Sequence, residues 1–120
     1  MAKKTLSELQ KLQKVAVKFR ADRDWEQFHT PKDVALSLVL EAAEVMEHFQ
    51  WKSQEEVRQH IKTHKSEIGD ELADVLCYLL YLANDLHIEL KKAFLAKMKK
   101  NAKKYPVSKS KGRHTKYTEL

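Results

Sequence analysis

A small all-α bundle of four helices is the fold this sequence predicts, and three observations carry it. The 120 residues include only two glycines and two prolines, too few to punctuate a chain of short strands and tight turns. Runs of strand type, with apolar and polar residues alternating, are absent, whereas apolar residues recur at helical spacing through most of the chain. Helix-start signals also stand ahead of these periodic stretches.

Taken in order, Thr5 and Glu8 have capping-box form and open a first helix to about Ala21. Arg23–His29 breaks the periodicity and reads as a loop rich in aromatics. Thr30 and Pro31 restart the chain as N-cap and first helical residue, with Asp33 in the first turn, and a second helix runs to about Gln50. Ser53 and Glu56 form another capping box, so Gln54–His60 reads as a short connecting helix. A third helix spans about Lys62–His87 and a fourth about Ile88–Lys104, where Tyr105-Pro106 ends it. The division expected is a helical domain over 1–106 and a basic C-terminal tail over 107–120, polar enough to need a neighbour or ligand to order it.

Charge is uneven. The chain carries a formal net charge of +6. Residues 1–96 hold 14 Lys/Arg against 16 Asp/Glu, while residues 97–116 hold nine basic residues and no acid. Basicity is thus a property of the C-terminal segment, and specific nucleic-acid binding by the whole domain is not implied. A single cysteine, Cys77, rules out a disulfide or zinc framework and reads as a small packed hydrophobe. The first residues lack the apolar region of a signal peptide. The apolar stretch Leu72–Ala83 is short and interrupted by Asp74, whereas a membrane span needs about 20 residues. A soluble, cytoplasmic protein is expected.

The chemistry lies in two acidic strips. At 100° per residue, Val34, Leu38, Val45, Phe49 and their neighbours cover most of the second helix. Only a narrow polar strip remains, holding Asp33, Ser37, Glu41, Glu44 and His48. Glu47 falls inside the apolar arc, as a partner behind the strip or a side chain reaching the bundle edge. The third helix repeats the design, with Glu67, Glu71, Asp74, Tyr78 and Asp85 confined to one strip. Residues i and i+3 lie about 60° apart on a helix, so EAAE (Glu41, Glu44) and ELAD (Glu71, Asp74) can each aim two carboxylates one way. By spacing, Glu67/Asp70 is an alternative second pair, but Asp70 lies off the strip centre.

A charged strip is ordinarily a wet helix face. Such a face mixes signs to form i,i+4 pairs, and these strips contain almost no Lys or Arg. Facing carboxylates repel unless a cation lies between them. An all-oxygen site suits a hard cation such as Mg²⁺, and hence phosphate chemistry.

The wider text carries a resemblance. RDWEQFHTPKD, LEAAEVMEHFQW, DELADVLCYLLYLA, KMKKNAKKYPV and KGRHTKYTEL, in that order and spanning about Leu6 to Leu120, resemble the MazG-like all-α nucleotide pyrophosphohydrolases. They are most similar to the branch that hydrolyses dCTP. The resemblance implies an all-α pyrophosphatase bundle that converts a (d)NTP and water to (d)NMP and diphosphate with Mg²⁺. It implies Glu41, Glu44, Glu71 and Asp74 as metal ligands and catalytic residues, and a homotetramer built as a dimer of dimers.

A base needs an aromatic surface, and stacking supplies affinity more than selectivity. Trp25, His29, Trp51 and Tyr78 are the candidates, although Trp51 and Phe28 equally suit core or subunit packing. Asn101 and Lys104 match the resemblance's N-x-x-[KR]-Y-P block and are expected to meet phosphates. One departure bears on selectivity: mammalian members carry a His in the first helix where Ala16 stands here. That leaves pyrimidine preference open.

Three other readings compete. The same fold acting on dUTP, modified nucleotides or all NTPs differs only in its substrate panel. A non-catalytic helical interaction module predicts no Mg²⁺ dependence and little effect of Glu41→Gln. A di-iron bundle would need Glu-x-x-His pairs on facing helices, and neither central helix has one.

Overall fold

The computed structural model describes residues 5–120, and among these every regular element is helical. The five α-helices are α1 (Glu8–Asp22), α2 (Pro31–Glu47), α3 (Gln54–Asp85), α4 (Leu90–Lys104) and α5 (Val107–Ser110). Two 3₁₀ turns, Glu26–Phe28 and Tyr117–Glu119, complete it. The all-α class read from the sequence is the class found.

Local chemistry explains most boundaries and corrects some. The cap of α1 is Ser7, not Thr5. Its Oγ accepts the Gln10 N–H at 3.3 Å while Gln10 Oε1 accepts the Ser7 N–H at 2.9 Å. Gln serves a capping box as well as Glu does, so Glu8 becomes a first-turn acid facing Lys11 at 3.1 Å. Thr30 caps α2 through the Asp33 N–H, with Pro31 following. This helix stops at Glu47 rather than Gln50, because the chain turns over into Trp51 at φ 66°.

Ser53 and Glu56 form the capping box of α3, at 3.2 and 3.1 Å. The expected connecting helix and third helix are one element, broken at His64 (φ −121°, ψ 19°). There the Thr63 hydroxyl donates toward the Gln59 and His60 carbonyls, and side chains competing for ladder carbonyls are a recognised cause of kinks. Continuation to His87 fails because α3 ends at Asp85 and His87 takes φ 56°. Likewise α4 begins at Leu90, not Ile88.

Contacts divide the chain into two units, residues 1–87 and 88–120. In the first, α1 and α2 both pack on α3, and Ala16, Val34 and Tyr81 form a small buried cluster flanked by Cys77, Tyr78 and Leu82. In the second, α4 leads through Pro106 into α5 and the last turn. The Tyr105 and Tyr117 rings meet edge to face at 5.8 Å, and Lys104 Nζ sits 4.7 Å from the Tyr117 ring centre. The segment after residue 106 therefore has local order of its own.

Candidate active site

Packing α2 against α3 brings the two acidic strips together. Glu41, half-buried, is the centre of the group. Its carboxyl is held above the ordinary glutamate range by burial first, then by the charges of Glu44 and Asp74, a hydrogen bond with Glu44, and the charge of Glu71. Its Oε2 is shielded from solvent and has no hydrogen-bond partner. Glu44 and Asp74 are exposed, whereas Glu71 is half-buried and meets His48 Nε2. Glu67 and Asp70 are exposed, and neither is among the groups that shift Glu41.

Among the described residues, no three His, Cys, Asp or Glu side chains already converge closely enough to hold an ion. The donor set nonetheless suits a hard cation. It offers oxygen only, two buried oxygens, Glu41 Oε2 and Glu71 Oε2, lack a hydrogen-bond partner, and like charges crowd it from both helices. A cation would remove that repulsion.

Beside the carboxylates lies a pocket of about 220 Å³ lined by Phe19, Trp25, His29, Glu41, Asp74, Cys77, Tyr78 and Tyr81. Glu41 and Asp74 thus belong both to the acidic group and to the wall of an aromatic chamber. Phe19 and Trp25 meet edge to face at 5.7 Å, and His29 lies 6.4 Å from Trp25 and 5.4 Å from Tyr81. Burial raises the Tyr78 phenol, reinforced by the charge of Glu41. Burial likewise raises Tyr81, and Cys77 adds to it. Both hydroxyls therefore remain neutral donors at physiological pH.

Of the sequence-selected residues, Trp25, His29, Tyr78, Glu41 and Asp74 share this chamber, with Glu44 and Glu71 coupled to Glu41. Trp51 does not line it; it stands 92% exposed in the turn after α2. Asn101 and Lys104 lie on α4 in the second unit, where Asn101 Nδ2 faces Met98 Sδ at 3.8 Å. Glu47 is exposed rather than enclosed by its apolar neighbours.

Periodicity missed what stands behind the pocket. Arg20 is buried and donates through Nη1 to Asp85 Oδ2 at 2.9 Å and through Nη2 to Oδ1. Its Nη1 also approaches His29 Nδ1 at 3.4 Å, and the guanidinium lies 4.8 Å from the Tyr81 ring centre. Asp85, grouped by spacing with the acidic strip, is thus committed to an ion pair. An arginine on the inner face of α1 with an acid near the end of α3 was a legible signal, since a buried guanidinium needs a carboxylate.

Comparison with known proteins gives the family. The model of the MazG-like family matches residues 36–120. Two named dCTP pyrophosphatase 1, from Rattus norvegicus and Homo sapiens, are 41% and 39% identical over 114 residues; each match covers 93% of this chain and 67% of the relative. A crystal structure described as a pyrophosphatase, from Archaeoglobus fulgidus, superposes with a TM-score of 0.79 at 37% identity. It covers 88% of this chain and 99% of that one. The chain belongs to the MazG-like family. With pyrophosphatases as relatives over nearly its whole length, it is an enzyme of the pyrophosphatase class.

Proposed function

We propose that the chain is a Mg²⁺-dependent nucleoside triphosphate pyrophosphohydrolase, with dCTP or a related pyrimidine deoxynucleotide as substrate and (d)NMP and diphosphate as products. The observation that carries this reading is the partnerless Glu41 oxygen, crowded by three further carboxylates in the wall of an aromatic chamber. The dCTP preference rests on the relatives. Trp25 and His29 offer aromatic faces to a base, and Tyr78 a neutral hydroxyl.

Glu41, Glu44, Glu71 and Asp74 would hold the cation. Bound there, Mg²⁺ supplies charge neutralisation on the leaving diphosphate and orientation of the reacting groups. The chamber fixes the base, so the α-phosphorus comes to rest beside the acidic strips. A carboxylate not engaged by metal would take the proton of the attacking water.

The exposed apolar residues Leu36, Val39, Leu40 and Met46 on α2 support a homo-oligomer, a dimer of dimers, in which a second subunit covers them. None of the described helices is long and apolar enough to cross a membrane, and the one cysteine is free, in keeping with a cytoplasmic setting. Broad use of NTPs is the second reading, favoured by walls that stack on any base.

A panel of NTPs and dNTPs with Mg²⁺, assayed chromatographically for monophosphate release, separates these readings. The proposal expects dCTP and its pyrimidine relatives to lead and EDTA to abolish release. Equal rates across the panel would favour the broad enzyme, and an inert panel would sink the proposal.

A further inference from the structure

Three histidines stand outside the chemistry so far described, and they end on one of its carboxylates. At the end of α2, His48 turns its Nε2 onto Glu71 Oε2, with its side chain 11% exposed. The other nitrogen of the ring, Nδ1, lies 2.7 Å from His60 Nε2. The His60 ring in turn stacks on His64 at 4.0 Å between centres and 11° between planes. His64 is the residue at which α3 leaves helical geometry, and its own Nδ1 lies 2.7 Å from the Thr63 hydroxyl and 3.2 Å from the His60 carbonyl. Beyond the break, Glu67 and Glu71 follow one another at i and i+4, which keeps them on one face of the helix.

Hydrogen-bond chemistry limits what this arrangement can mean. A carboxylate oxygen accepts, so an N–H is what the His48 ring can offer to Glu71. A buried ring in contact at both nitrogens, with His60 on one side and Glu71 on the other, is restrained from rotating. Burial, then the neighbouring His64 and Lys52, hold the His60 imidazole below its ordinary value, so at neutral pH it has a single N–H and one ring nitrogen to accept with. The close ion-pair contact with His48 thus holds one Glu71 oxygen, which is buried and has no hydrogen-bond partner, and leaves the other for a ligand.

We propose that His48 is the positioning residue for Glu71: braced by His60 and His64 at the break in α3, it fixes the carboxylate so that its free oxygen faces the cation. This rests on the reading of Glu71 as a cation ligand. Ligating groups are commonly oriented in this way by a partner behind them, and loss of that partner weakens metal binding.

The test is Mn²⁺ binding, followed by electron paramagnetic resonance on the full chain without nucleotide, with Mn²⁺ standing in for Mg²⁺. His48→Leu removes the donor, His48→Gln keeps an amide N–H of similar reach, and His60→Leu removes only the brace. Loss of a partner of this kind costs about 10- to 100-fold in affinity, so that loss is expected for His48→Leu, with most of it recovered in His48→Gln and a smaller loss in His60→Leu. Wild-type affinity in His48→Leu overturns the inference, as does a Gln variant no better than Leu at equal thermal stability. If His48→Leu does not fold, an unchanged affinity in His60→Leu overturns it. A wild type that turns over nucleotide and binds Mn²⁺ separates failure of this inference from failure of the metal reading. Absence of Mn²⁺ binding in the wild type defeats both.

Discussion

Arg20 and Asp85 pair behind the aromatic chamber, where Arg20 reaches His29 and Tyr81. Arg20 has a side chain only 5% exposed and Asp85 one 20% exposed, so each is costly to leave alone. Removing one member of a buried ion pair typically costs about 3–5 kcal/mol, and the partial exposure of Asp85 puts Asp85→Asn at the lower end. Urea unfolding at pH 7 should show that loss. The pH dependence has a definite sign. The Arg20 hydrogen bonds hold the Asp85 carboxyl below the ordinary aspartate range, so the folded chain binds this proton less tightly than the unfolded one. Its stabilisation is therefore present above the unfolded value and lost as pH falls through the folded value. Asp85→Asn should remove that segment of the acid unfolding curve; an unchanged curve would argue against the pair. Glu41→Gln makes a different prediction. It removes a charge that burial and its neighbours disfavour, so the metal-free variant should be at least as stable as the wild type while turnover falls by about 100-fold or more, the scale of losing a carboxylate that holds the metal or takes the proton.

The helices show how far local chemistry could be read in advance. The Thr30-Pro31 and Ser53/Glu56 starts were legible because the capping side chain lies within four residues of its target. The cap of α1 was misplaced because Thr5/Glu8 and Ser7/Gln10 have the same form, and the bonds formed by Gln10 decide between them. Ser7→Ala should therefore cost about 1 kcal/mol and Thr5→Ala close to nothing, read as shifts in the denaturation midpoint. Equal effects would contradict the assignment. The break at His64 had no proline or glycine to announce it, since it arises from Thr63 and His64 bonding to carbonyls of the preceding turn. Both carboxylate pairs were visible as spacing, because i and i+3 share a face. That Phe19, Cys77 and Tyr81 join Trp25, His29 and Tyr78 in one chamber depends on how α1 and α2 pack on α3. No single helix period encodes that.

At the scale of the whole molecule, the buried apolar core is small, and many large hydrophobics remain exposed, including Leu36, Val39 and Leu40 on α2. A single chain gains little from burying so few side chains, so subunit contact is expected to supply much of the stability. Sedimentation should find a tetramer, with a melting temperature that rises with protein concentration. Val39→Glu, placing a charge in the exposed face that a second subunit would cover, should shift the assembly toward smaller species. A wild type that remains monomeric at high concentration would contradict this arrangement.

Hydrolysis at the α-phosphorus is tested most directly by phosphorus NMR of dCTP with Mg²⁺ in ¹⁸O-enriched water, beside an EDTA control. dCMP bearing the heavy isotope, with unlabelled diphosphate and no reaction in EDTA, is the predicted result. Orthophosphate with dCDP, label in the diphosphate, or turnover that persists in EDTA would contradict it.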